Sequence, residues 1–346
     1  MPPPTLVMQT TYAELFDRCR AVAFSDDFPA DGTFVAKTIK GKRYWYFQTS
    51  TDAGRVQKYV GAETPELLKQ ISEQQSRRED ERERRALVST LVRSFGLPRA
   101  IPEIGNVVAA LAKAGVFRLR GVLVGTVAYQ TYAPMLGTRL PLQHLQTGDV
   151  DIAQFKNVSV AVEDRTPPML DVLKGVDKTF KAVPHIHDQK SVTSYIARGG
   201  LRVDFLTPNE GPDTDAPAAL SAFQTDAEPL RFLDFLIVEP EPAVLLHGTG
   251  IYVLVPAPER YAIHKLIVAR RRQGGSAKRD KDAQQSAALI DVLLQKRPHD
   301  LKSAWSEAFG RGPTWRQLLT EGLALLPDKT RNILAETVGA RSDLQT

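Results

Sequence analysis

The rhythm of apolar and polar positions changes twice along the chain. Thr33 to Lys40 and Arg43 to Thr49 are β-rich runs with Gly41-Lys42 between them, so residues 33–60 predict a β-hairpin or small sheet. Ahead of them, Thr11-Tyr12-Ala13-Glu14 has the form of a capping box and predicts the start of a short helix. Thr64-Pro65-Glu66 offers an N-cap threonine with proline in the first turn, opening a long helix that runs to about Ser94. Within it, Arg77 to Arg85 mixes charge signs at three- and four-residue spacing, as in a solvated helix laced with ion pairs. Near Phe95-Gly96-Leu97-Pro98 the composition shifts, which places a domain boundary there.

A helix over 102–115 then precedes a strand from Val116 to Val124, which runs into Gly125-Thr126 and an apolar helix over 127–135. Further strands are expected at Asp149–Phe155, Leu201–Leu206, 232–238, 243–247 and 251–255. After Val255-Pro256-Ala257-Pro258 the pattern becomes helical over 259–273, 280–295, 300–308, 313–325 and 328–337, with Gly274-Gly275-Ser276 as a flexible loop. No internal repeat is visible. The expected fold is α+β, a small mixed-sheet core behind an N-terminal hairpin and helix unit and followed by a helical domain. The boundaries fall at 1–95, 96–255 and 256–346.

Composition narrows the function classes. Hydrophobic residues are 42% and charged residues 25%, the balance of an ordinary globular protein. A net charge of +5 mildly favours an anionic partner such as a nucleotide or nucleic acid. Cys19 is the single cysteine, which excludes a disulfide framework and a cysteine zinc site. Met1-Pro2-Pro3-Pro4 lacks the features of a signal peptide. Phe232 to Leu246, the longest apolar stretch, is broken by Asp234, Glu239, Pro240, Glu241 and Pro242, so no membrane association and a cytoplasmic location are expected.

Three features carry chemistry. Gly125-Thr126 stands where a strand meets a helix, so the glycine lets backbone approach a phosphate and the helix N-terminus supplies free N–H groups. In Asp149-Val150-Asp151-Ile152, strand alternation points both carboxylates to one face, the arrangement of hard oxygen ligands that Mg²⁺ requires. Asp213-Thr214-Asp215 and Asp280-Lys281-Asp282 share the pattern but fall in a loop and a helix start. In Leu201-Arg202-Val203-Asp204-Phe205-Leu206 the apolar residues alternate with Arg202 and Asp204. If this strand lies beside the first, Asp204 completes a carboxylate triad able to hold two metals about 3.5–4 Å apart. Asp204 would then act as general base, or as the ligand that lowers an acceptor hydroxyl's pKa.

Gly125, Thr126, Asp149, Asp151 and Asp204, in this order, resemble the nucleotidyltransferase superfamily related to DNA polymerase β. Two departures stand out: Thr126 where serine is usual, and a longer gap to Asp149, read as an insertion around Gly137 to Gly148. A second block, Val255 to Lys265 followed by Lys281-Asp282 and Gln285, is similar to the helical half of AbiE-type and related bacterial nucleotidyltransferases. The resemblance spans roughly residues 100–295 and implies a metal-dependent transfer from an NTP, ATP first among them, with Mg²⁺ or Mn²⁺ as cofactor. It implies Lys265 as a phosphate contact, with Tyr261 one turn earlier and Lys281 and Asp282 as further nucleotide-site candidates. The acceptor is left open among an RNA end, a protein hydroxyl and a small molecule, and a toxin–antitoxin role rests on analogy alone.

Other features favour bland readings. Arg270 to Arg272 reads as a solvated basic helix end, His185-Ile186-His187-Asp188 as a polar loop, and His264 as a packed or capping residue. Lys37, Lys40, Lys42 and Arg43 beside Tyr44, Trp45, Tyr46 and Phe47 form either a nucleic-acid platform or, the favoured reading, a sheet packing its aromatics on the 65–94 helix. Two rival functions remain: a silent nucleotidyltransferase fold that binds nucleic acid, and a glycosyltransferase using Asp149-Val150-Asp151 for Mn²⁺.

Overall fold

The structure, a computed structural model, describes residues 6–23, 32–39, 42–51, 54–141, 147–161, 164–209, 211–272 and 276–339. Lys40, Gly41, Gly274-Gly275, residues 142–146 of the expected insertion and the Met1–Pro4 terminus lie outside them.

Helix α1 spans Leu6–Ala23, earlier than the Thr11 capping box predicts. Thr11 Oγ1 instead donates to Val7 O at 2.6 Å, a backbone acceptor one turn back that serves a threonine inside a helix. Strands β1 (Gly32–Ile39), β2 (Lys42–Thr51) and β3 (Gly54–Ala62) form an antiparallel sheet, one strand more than a hairpin. Two of its cations are engaged locally: Lys37 Nζ sits 4.6 Å from the Tyr46 ring centroid, and Arg43 sits 5.5 Å from that of Trp45 while pairing with Glu63. Helix α2 (Pro65–Arg93) begins as expected, with the Leu67 N–H donating to Thr64 Oγ1 at 3.2 Å. It stops at Gly96, whose φ of 67° turns the chain.

The central sheet follows α3 (Pro102–Lys113). It contains β4 (Val122–Val124), β5 (Asp149–Ala153), β8 (Arg202–Pro208), β10 (Thr225–Leu230) and β9 (Ala218–Leu220) in that spatial order. Helix α4 (Gly125–Met135) follows β4, and α5 (Lys156–Ala161) and α6 (Met169–Lys174) follow β5. A hairpin of β6 (Lys181–Pro184) and β7 (Val192–Ile196) pairs antiparallel with β8. Strand β8 therefore has parallel β5 along one edge and, along the other, β7 followed by parallel β10.

Two expected strands are corrected. Only Val122–Val124 of the 116–124 run is a strand, because Gly115 at φ 93° and Arg120 at φ 67° curl the preceding segment, and the Gly121 N–H closes the curl on Val116 O at 2.8 Å. Residues 232–238 hold a short helix, α7 (Leu233–Ile237), in which Leu233, Phe235, Leu236 and Ile237 are all buried. A brief apolar run suits a buried helical turn as well as a buried strand.

Strands β11 (Pro240–Leu245) and β12 (Ile251–Pro256) pair antiparallel, and helices α8 (Pro258–Arg271), α9 (Ala277–Lys296), α10 (Pro298–Gly310), α11 (Pro313–Leu323) and α12 (Asp328–Val338) complete the chain. One apolar core runs from Met8, Leu15 and Cys19 through Val88, Leu123 and Phe205 to Trp305 and Leu334. No described helix is long and apolar enough to cross a membrane.

Candidate active site

Strand β5 is flanked by β4 and β8, and its polar positions define the site. Asp151 lies opposite Asp204 in the parallel ladder with β8, and Asp149 lies opposite Arg202. Paired residues share a face, so all four side chains leave the sheet together. Val150, Ile152, Val203 and Phe205 leave the other face and are fully buried. The alternation thus drives the apolar set into the core and holds three carboxylates in one cluster.

The Gly125 turn closes against this cluster. Val124 pairs with Asp151, and Gly125 follows at φ 66° as the first residue of α4. A Cβ there would collide with the Asp151 carboxylate, so glycine is required for both its conformation and its lack of a side chain. Thr126 is buried in the first turn of α4.

Crowding shows in the pKa of Asp151, which is raised to about 7 by burial first and then by Asp204 and Asp149. Lys265 and Lys278 act in the opposite sense. Asp204 Oδ1 accepts from Arg202 Nε at 2.7 Å and from Ser194 Oγ at 2.5 Å, while Arg202 Nη2 donates to Ser194 Oγ at 2.9 Å.

Helices α8 and α9 supply cations facing the carboxylates. Lys265 Nζ donates to Asp282 Oδ1 at 2.5 Å, and Arg272 Nε to Asp282 Oδ2 at 2.7 Å. Burial depresses the Lys281 ammonium below its ordinary range, the Lys265 charge depresses it further, and Asp282 and Asp149 oppose the shift. Tyr261 is buried, its Oη 3.0 Å from Gly125 O and 2.9 Å from Gln285 Oε1, and its ring stacked on Tyr129 at 6.0 Å. Tyr261 therefore braces the Gly125 turn from below, and Asp282 holds Lys265. Neither presents a surface to a nucleotide.

The structure brings Gly125, Asp149, Asp151, Asp204, Lys265, Lys281 and Asp282 into one region. Sequence reasoning missed three members. Ser194 enters only through the β7–β8 pairing. Arg272, exposed at the end of α8 as expected, also pairs with Asp282. Lys278 lies in the first turn of α9, where basic residues ahead of Lys281 were the available signal. His264 is packed as expected, its imidazole pushed down to about 3 by burial and then by the Lys265 charge.

Asp149 and Asp151 are the pair suited to a divalent cation. Among the described residues no three His, Cys, Asp or Glu side chains converge on one metal point, and Asp204 is held by Arg202 and Ser194. The donor chemistry fits Mg²⁺: the oxygens are hard, and the mutual repulsion that raises Asp151 is what a divalent charge relieves.

No curated protein matches the chain. An antigenic nucleotidyltransferase-like protein from Paracoccidioides brasiliensis is similar at 14% identity over 64% of this chain and 94% of that one, with a TM-score of 0.30. A family profile described as nucleotidyltransferase matches residues 102–310, a span that holds every site residue named above. With that profile covering more than half of its length, the chain belongs to the nucleotidyltransferase family.

Proposed function

We propose that the protein moves a nucleotidyl group from an NTP to an acceptor hydroxyl, with Asp149 and Asp151 holding Mg²⁺ and Asp204 beside them as the base. The pairing of Asp151 with Asp204 across two parallel strands, faced by Lys265, Lys278 and Lys281, carries this reading. The lysines match the charge of a triphosphate, and the Gly125-Thr126 turn admits it to the N-terminus of α4. Bound Mg²⁺ would neutralise the phosphate oxygens and lower the pKa of the acceptor hydroxyl. The acceptor oxygen attacks the α-phosphorus, the bond from the α-phosphorus to the bridging oxygen breaks, and pyrophosphate leaves. Asp204 takes the hydroxyl proton while Arg202 and Ser194 hold its other oxygen in place.

Likeness to the AbiE-type bacterial enzymes belongs to this reading and rests on the Lys265 and Lys281-Asp282 block. Titration of the four NTPs with Mg²⁺ tests it. The wild type should bind in a Mg²⁺-dependent manner and an Asp149→Ala/Asp151→Ala double variant should not. A folded wild type that binds no NTP would overturn the reading in favour of a silent fold.

A further inference from the structure

Beside Asp204 the same sheet face continues into a groove of about 520 Å³. Arg202, Ser194 and Asp204 form its wall on β7 and β8, and Glu228, His185 and Asp215 extend it. Glu228 pairs with Leu206 in the parallel β8–β10 ladder. Leu206 is two residues beyond Asp204, so Glu228 shares its face, with Cα atoms about 8 Å apart from strand spacings.

Glu228 is held in place by a histidine. The His187 backbone N–H donates to His185 Nδ1 at 3.3 Å, which leaves Nε2 as the donor nitrogen of the ring. That nitrogen lies 2.9 Å from Glu228 Oε2. His185 is therefore a donor that positions the Glu228 carboxylate in the groove. Arg202 offsets Asp204 within the groove, and Glu228 and exposed Asp215 leave the far part acidic. Phosphate groups are served elsewhere, by the lysines of α8 and α9. A polynucleotide acceptor would have to thread its phosphates past these carboxylates, and the volume is that of a small-molecule site.

We propose that this groove is the acceptor subsite and takes a small hydroxyl compound bearing an ammonium group, which Glu228 and Asp215 recognise. The inference rests on Asp204 being the base of the transfer reaction. The hydroxyl reaches Asp204 and the ammonium stays on the Glu228 side, so the amine is a recognition handle and not the nucleophile.

The test uses the full chain with Mg²⁺ and α-labelled NTP. Probes are matched pairs, glucosamine with glucose and ethanolamine with ethylene glycol, beside a short single-stranded RNA. Amine members should be labelled on oxygen about tenfold more efficiently than their neutral partners. Glu228→Gln should erase that preference through acceptor KM with little change in kcat. Asp215→Asn, on an exposed loop, should weaken it and carries the test if Glu228→Gln does not fold. Labelling of RNA alone, equal labelling within pairs, or an amine preference untouched by both variants would overturn the proposal. Titration of Mg-NTP on the same preparations separates the two readings. A protein that binds NTP but labels no amine refutes the acceptor subsite, and one that binds no NTP refutes the donor site on which it depends.

Discussion

Asp151 is the residue where stability and the proposed activity conflict. In the unfolded chain its carboxyl titrates near the usual aspartate value of about 4, whereas in the fold burial, Asp204 and Asp149 raise it to about 7. Between those values the native state holds the extra proton. Stability therefore falls as pH rises through that window and levels off above it. Asp151→Asn removes the buried charge, so in chelator at pH 8 the variant should be more stable than the wild type by about 1–3 kcal/mol. The gap should close as pH falls towards 4. Mg²⁺ should raise the melting temperature of the wild type and leave the variant unmoved. A variant less stable than the wild type at pH 8 would show that Asp151 is not strained. Gly125 tests the same contact from the other side. Gly125→Ala must place a Cβ against the Asp151 carboxylate at φ 66°, and should cost about 2–3 kcal/mol in urea unfolding with loss of NTP binding. Unchanged unfolding would mean that the turn relaxes freely.

At the scale of elements, what was legible depended on how local the signal was. Alternation in Asp149-Val150-Asp151-Ile152 and in Leu201 to Leu206 showed which side chains share a face, because a strand's period is set by its own backbone. The pairing of β5 with β8 was a condition that no local pattern could supply, since some fifty residues separate the strands. The β6–β7 hairpin stayed hidden because Lys181–Pro184 is short and ends in proline. Without it Ser194 had no place beside Asp204. Helix pairing hid the role of Arg272 in the same way, since Asp282 meets it only when α8 lies on α9. Asp282 therefore joins two helices by neutralising two cations. Asp282→Ala should leave Lys265 and Arg272 unpaired, cost about 3 kcal/mol in chemical unfolding, and weaken NTP binding through a displaced Lys265. Tyr261→Phe should cost about 1 kcal/mol by removing one hydroxyl from Gly125 O and Gln285, with smaller loss of NTP affinity. If both variants titrated NTP like the wild type, the helices would not be positioning the nucleotide cations.

At the scale of the molecule, the chain's turns and its core follow different divisions. The composition shift at Phe95-Gly96 coincides with the end of α2, and Pro256-Ala257-Pro258 with the start of α8, yet the apolar core crosses both points. Met8, Leu15 and Cys19 of α1 belong to the same packed cluster as the central sheet, and the Val244 N–H donates to Tyr12 Oη at 3.2 Å. Boundary signals in sequence report local backbone chemistry. They carry no information on which distant side chains fill a common interior. Leu15 is fully buried in that interior, so Leu15→Ala should cost about 2–5 kcal/mol. If the core is continuous, the loss must be felt at its far end. Trp305 in α10 is buried there and reports on it. With Trp45 and Trp315 replaced by phenylalanine, Trp305 fluorescence should follow one urea transition, shifted to lower denaturant by Leu15→Ala. A Trp305 transition that stays in place while far-ultraviolet dichroism loses an early phase would show that α1 unfolds by itself, and that the core stops short of the N-terminal helix.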